Sequence, residues 1–282
     1  MSSIAESGAM APPAADPKRS NLTQRVLSAA VLIPLVLLLV YLGGWPFALL
    51  VAVAAALMLH EWLHMLFQPR ALPSAAAAVL MAVSVLAVQG MAPWAALPSL
   101  AAAALAAILA VSGPRSRLWI PLGIVWFAVP CMGLVWLRQS ELGGMSVVIW
   151  MLLMIWAADT GAYIAGHSIG GPRLAPAISP NKTWAGLFGG MLAAVLVGVA
   201  FAWIVGSQAW LSAILVAALL APWSQVGDLA ESAVKRHVGV KDSSQLIPGH
   251  GGLLDRVDAL LFAVPAIALF TAFAPAESLP WR

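Results

Sequence analysis

Charge is what this sequence has least of. Only 9% of its 282 residues are Asp, Glu, Lys or Arg, against 62% that are hydrophobic, and the mean hydropathy is +0.95. A soluble domain carries about a quarter charged residues, so a chain this poor in charge cannot cover its own surface in water, and lipid must be its solvent. Cysteine is nearly absent as well. Cys131, the single one, lies in an apolar run and excludes an intramolecular disulfide. The formal net charge of +3 is small and the bases are scattered through short segments, which excludes a nucleic-acid partner. No long polar stretch exists that would make a separate soluble domain.

What is there is a series of apolar runs separated by glycine, proline or charge. A spanning helix needs about 20 mainly apolar residues. Nine candidates follow: 26–42, 46–66, 73–89, 94–112, 118–137, 145–165, 184–206, 209–231 and 254–274. Residues 1–25 read as a disordered cytosolic tail, 26–144 as N-terminal transmembrane helices, and 145–282 as a C-terminal transmembrane catalytic region. The expected fold is an all-α polytopic membrane protein. With the N-terminus in the cytoplasm and nine alternating spans, Lys18, Arg19, Arg25, Arg70, Arg115, Arg117, Arg173, Lys182, Lys235, Arg236, Lys241 and Arg256 fall inside. Only Arg138 and Arg282 fall outside, a bias that obeys the positive-inside rule and puts the C-terminus outside. On the seventh span, Gly186, Gly190, Ala194 and Gly198 recur every four positions and permit close helix contact. Packing within the chain is the simpler use of that stripe; a seam between copies is the other.

Ionisable groups in or beside spans default to functional hypotheses. The richest set runs from Gly227 to Asp258. On a helix, Asp228, Glu231, Ser232 and Lys235 share one face, as do Asp255 and Asp258. Two carboxylate-bearing helix ends facing each other can hold a hard divalent cation through oxygen ligands. Between them, Pro248, Gly249, Gly251 and Gly252 can offer backbone N–H groups to an anion just before a helix N-terminus. Upstream, Asp159 lies in the sixth span. Ser179, Asn181 and Lys182 lead into the seventh, a second corner suited to phosphate. A competing pattern is His60-Glu61-x-x-His64, whose spacing matches a zinc-protease helix; the acids elsewhere sit among bases suited to phosphate rather than peptide.

The run Ser232-x-x-Lys235-Arg236, four residues, Lys241-Asp242, then Pro248-Gly249-His250-Gly251-Gly252-Leu-Leu-Asp255-Arg256-Val-Asp258 resembles the signature of the phosphatidate cytidylyltransferases, with every position of that pattern matched. Gly227–Ser232, Ser179–Gly186, Asp159–Tyr163 and Glu61-Trp62 also resemble elements of that family. The resemblance implies transfer of CMP from CTP to phosphatidate, giving CDP-diacylglycerol and pyrophosphate, in a bacterial inner membrane with the site on the cytoplasmic side. It implies Mg²⁺ on Asp228 and Asp255, with catalysis also through Lys182. It implies phosphate contacts from Lys182, Lys235, Arg236, Lys241 and Arg256, and orienting roles for His250, Asp242 and Asp258. A homodimer is compatible with it. A CTP-dependent polyprenol or phytol kinase is the alternative within the same chemistry.

Overall fold

The computed structural model describes residues 17–90, 93–111, 116–247 and 251–282. Within them the chain forms α1 (Pro17–Leu42), α2 (Gly44–Leu66), α3 (Ala71–Gly90), α4 (Leu97–Ala110), α5 (Ser116–Gln139), α6 (Met145–Ser168), α7 (Trp184–Ile204), α8 (Trp210–Val238) and α9 (Leu254–Phe273). Seven of these, all but α1 and α4, are long and apolar enough to cross a membrane among the described residues. The protein is an all-α polytopic membrane protein. One departure from pure helix is a ribbon, β1 (Arg173–Ala175) paired antiparallel with β2 (Ser179–Thr183), with Arg173 opposite Thr183.

Two boundaries differ from the hydropathy reading. α1 starts at Pro17, inside the segment read as tail; proline's fixed φ suits a first helical position. α8 runs to Val238, well past the end of the apolar run at 231. Its last turns include Ala233, Lys235 and Arg236, which favour helix and place bases near its C-terminus, and end at Gly239, whose φ of 79° closes the helix, with Val240 N–H donating to Lys235 O at 3.0 Å.

Hydrogen bonds show the helix ends collecting on two faces. On one, Arg138 at the end of α5 donates to Val40 O and Tyr41 O, capping the carbonyls that end α1. There Gln139 meets Gln89 at the end of α3, and Trp281 Nε1 donates to Leu142 O. On the other, Arg70 N–H donates to Ala110 O, the His237 ring stacks on Trp119, and α2 ends against the start of α9. Successive helices therefore run in opposite directions.

α2 is the inner helix, with 56% of its apolar window buried, against 22% for α7. Trp62 anchors it, buried among Trp119, Trp126 and Phe127, with its Nε1 donating to Trp119 O at 2.9 Å. The glycine stripe of α7 is spent inside the chain. A Cβ on Gly190 would stand 2.7 Å from Ala158 O and one on Gly186 2.9 Å from Ala162 O, both on α6. Gly198 meets Met154 and Trp150 of α6 and Ala217 of α8. Small residues thus let α6 and α7 meet nearly backbone to backbone.

Candidate active site

β2 delivers Lys182 to the mouth of the bundle. The next residue, Thr183, is extended and caps α7, its Oγ1 accepting from Gly186 N–H at 3.0 Å. From β2 the Lys182 ammonium reaches Asp228 of α8 at 2.5 Å. Asp228 Oδ1 accepts from Ser232 Oγ one turn on, at 3.3 Å. Asp159 on α6 completes a third wall. Together they line a cavity of about 690 Å³ with Ser179 and Asn181, and with Tyr163, His167, Arg173 and Gln225, which the sequence reading did not assign. The Tyr163 and His167 rings are parallel, 6.0 Å apart between centroids. Arg173 is steadied by its bond to Pro180 O across the ribbon. On α9, the Asp258 turn packs against α8 beside Asp228: a Cβ on Gly227 would stand 2.7 Å from Asp258 O. The cavity therefore sets two bases, Lys182 and Arg173, and a helix N-terminus beside two carboxylates, Asp159 and Asp228, at the helix ends.

Asp255 is engaged elsewhere. Its Oδ1 accepts from Lys235 Nζ at 2.6 Å; its Oδ2 accepts from Gly252 N–H at 2.9 Å, Ser243 N–H at 3.0 Å and Ser243 Oγ at 3.1 Å. Lys235 also pairs with Glu231 at 2.9 Å. The glycine loop was expected to offer its N–H groups to a phosphate. Of the described ones, Gly251 N–H donates to Ile247 O at 3.1 Å and Gly252 N–H to Asp255, while the Leu253 and Leu254 N–H groups that follow go to Glu61 of α2. The negative charge that α9's N-terminus attracts is thus internal, and the open cavity is the one at Lys182.

The remaining candidates distribute around these two centres. Arg236 is exposed and reaches Ile178 O in the ribbon turn and Val240 O. Lys241 and Asp242 are exposed on the loop after α8, and Asp242 lines a separate cavity of about 500 Å³ beside His60 and His64. Arg256 is exposed in the first turn of α9. His250, with Pro248 and Gly249, lies outside the described residues. The zinc-protease pattern fails on its glutamate: Glu61 is 3% exposed and accepts four hydrogen bonds, so it is not free to act as a general base. His64 Nδ1 sits 2.9 Å from His60 O. Among the described residues no three acids, histidines or cysteines are grouped to hold a metal.

Mg²⁺ commonly takes only one or two carboxylates, the rest of its shell coming from water and substrate phosphates. Asp228 and Asp159, both on the cavity wall, are donors of that kind and fit such an ion. Asp255 would have to give up Lys235 or Ser243 first.

The chain matches the Cytidylyltransferase family over residues 23–274. A phosphatidate cytidylyltransferase of Brucella suis biovar 1 (strain 1330) is 37% identical over 266 residues, covering 93% of this chain and 97% of the relative. That of Pseudomonas aeruginosa is 37% identical over 260 residues, 88% of this chain and 96% of its own length. One from Staphylococcus epidermidis is 42% identical over 138 residues, about half of each chain. With an alignment that runs from α1 through α9 and takes in both carboxylate centres, this chain belongs to the cytidylyltransferase family of membrane transferases.

Proposed function

We propose that the chain transfers the cytidylyl group of CTP to phosphatidate, producing CDP-diacylglycerol and pyrophosphate. The observation that carries this reading is the cavity at Lys182, where bases, a capped helix N-terminus and carboxylates meet at the helix ends of a membrane protein. One substrate is a polar nucleotide and the other a lipid, and a site at the helix ends is open to both.

A phosphate oxygen of phosphatidate forms the new bond to the α-phosphorus of CTP. The bond from that phosphorus to the bridging oxygen breaks, and pyrophosphate leaves with the electron pair. The attacking phosphate is already anionic near neutral pH, so the site's tasks are positioning and charge neutralisation rather than proton removal. Lys182 exchanges its contact with Asp228 for phosphate oxygens as substrate enters. Arg173 and Asn181 orient the nucleotide phosphates from the ribbon. Asp228 with Asp159 would hold Mg²⁺, which would supply positive charge to the phosphate oxygens. Asp255, Lys235, Lys241 and Arg256 act through the loop that leads into α9, and Arg236 steadies the ribbon. The site opens to the cytoplasm of a bacterial inner membrane, as the excess of bases at that face favours. A homodimer would form on faces other than α7's glycine stripe.

The test incubates the purified protein with labelled CTP, phosphatidate and Mg²⁺ in mixed micelles and identifies the products. Labelled CDP-diacylglycerol with stoichiometric pyrophosphate is expected. A phosphorylated lipid with CDP would replace the reading by a lipid kinase.

A further inference from the structure

One buried carboxylate in the first half of the chain holds the second half's loop at both ends. Glu61 Oε1 accepts from Ser244 Oγ at 2.6 Å and Leu253 N–H at 2.9 Å. Its Oε2 accepts from Ser243 Oγ at 3.2 Å and Leu254 N–H at 2.9 Å. Residues 243–244 and 253–254 are the two ends of the glycine loop, so Glu61 closes that loop like a clasp. Ser243 then passes the constraint on, since its hydroxyl lies between Glu61 and Asp255 and its N–H donates to Asp255. Asp255 fixes Lys235, and Lys235 fixes Glu231 on α8. The result is a buried chain of contacts from α2 through the loop and α9 to α8. Gly252 fits the same scheme: a Cβ there would lie 2.9 and 3.0 Å from the two Glu61 oxygens.

We propose that Glu61 is a positioning residue for the transfer reaction, setting the loop and the first turn of α9 so that the Asp258 turn seats on Gly227 of α8, next to the Asp228 that holds Lys182. Asp255 and Asp258 are three residues apart on one helix, so whatever fixes the rotation of Asp255 also fixes that of Asp258. Displacement of a catalytic constellation by about 1 Å can cost about 100-fold in rate. The inference rests on the activity proposed above and adds a residue from outside the cavity to it.

The experiment compares Glu61→Gln, Glu61→Ala and Ser244→Ala with Arg138→Gln, a structural control on the opposite face. Each is assayed for cytidylyl transfer per folded molecule, thermal unfolding in detergent, and amide hydrogen exchange. Glu61→Gln keeps the size but replaces one acceptor oxygen by a donor, so a kcat about 100-fold lower is expected, with KM for both substrates within about threefold of wild type. Ser244→Ala loses one of the four bonds and is expected to lower kcat about threefold to tenfold. Exchange should quicken in peptides covering 242–256 for the Glu61 variants and not for Arg138→Gln. The proposal is overturned if Glu61→Gln keeps a kcat within about threefold of wild type, if its effect lies in KM alone, or if Arg138→Gln loses as much kcat for the same loss of stability. If Glu61→Ala does not fold, Glu61→Gln and Ser244→Ala decide the matter by the same criteria. A wild-type protein that forms no CDP-diacylglycerol overturns the activity itself and the positioning role with it.

Discussion

Asp228 and Asp255 look alike in sequence, yet their surroundings predict opposite failures when each is changed to Asn. The Asp228 side chain is 36% exposed and faces the cavity, where it holds Lys182. Breaking an ion pair that open to solvent costs about 0–1 kcal/mol, so Asp228→Asn should unfold close to wild type. On the proposed reading its rate should fall roughly 10²–10³-fold, because the carboxylate that would hold Mg²⁺ against the phosphates loses its charge. The Asp255 side chain is 4% exposed and accepts bonds from Lys235, Ser243 and Gly252. Removing its charge leaves the buried ammonium with Glu231 as its remaining carboxylate, so the loss lies toward the lower end of the about 3–5 kcal/mol that breaking a buried pair costs. For a chain of this size that lowers the unfolding midpoint by on the order of 10 °C. Thermal unfolding in detergent and the initial rate of CDP-diacylglycerol formation, measured on the same preparations, read the two effects separately. The reasoning fails if Asp255→Asn melts within about 2 °C of wild type. It also fails if Asp228→Asn keeps more than about a tenth of the rate with unchanged Mg²⁺ dependence.

Lys182→Ala should lower turnover by about two orders of magnitude or more while the protein still folds, checked by initial rates at low concentrations of both substrates. The double variant His60→Ala, His64→Ala should keep most transfer activity, and elemental analysis of the wild type should find no stoichiometric zinc. Gly190→Val places two methyls against Ala158 O across the α6–α7 contact, so it should lower the unfolding midpoint even where expression is normal.

The helical plan was legible because apolar runs and basic loops are local properties, read one segment at a time. The end of α8 was not, since hydropathy stops at 231 while helix propensity continues to Val238. The ribbon escaped because β1 and β2 span only three and five residues, too short for a strand periodicity to register. At the site, Lys182, Asp159, Ser179, Asn181 and Asp228 line one cavity, all taken from short motifs that name their own residues. Arg173 follows Gly170 and Gly171, both at positive φ, and that turn was the available signal for it. Glu61 is the instructive omission. Its partners lie 182 to 193 residues away, so no local pattern could pair them. The signals were an acid inside an apolar span and the Glu61-Trp62 element of the family resemblance, and neither named the partners that give it a role.

The seam between α6 and α7 has a consequence for how copies of this protein meet. The glycines and alanines that let two helices approach closely are consumed within the chain, and α7 turns Phe188, Leu192, Leu196 and Trp203 outward instead. A neighbour arriving at that side finds a ridge of bulky side chains that acyl chains wet equally well. Any copy that packs along this flank therefore meets bulky side chains rather than a groove of small residues.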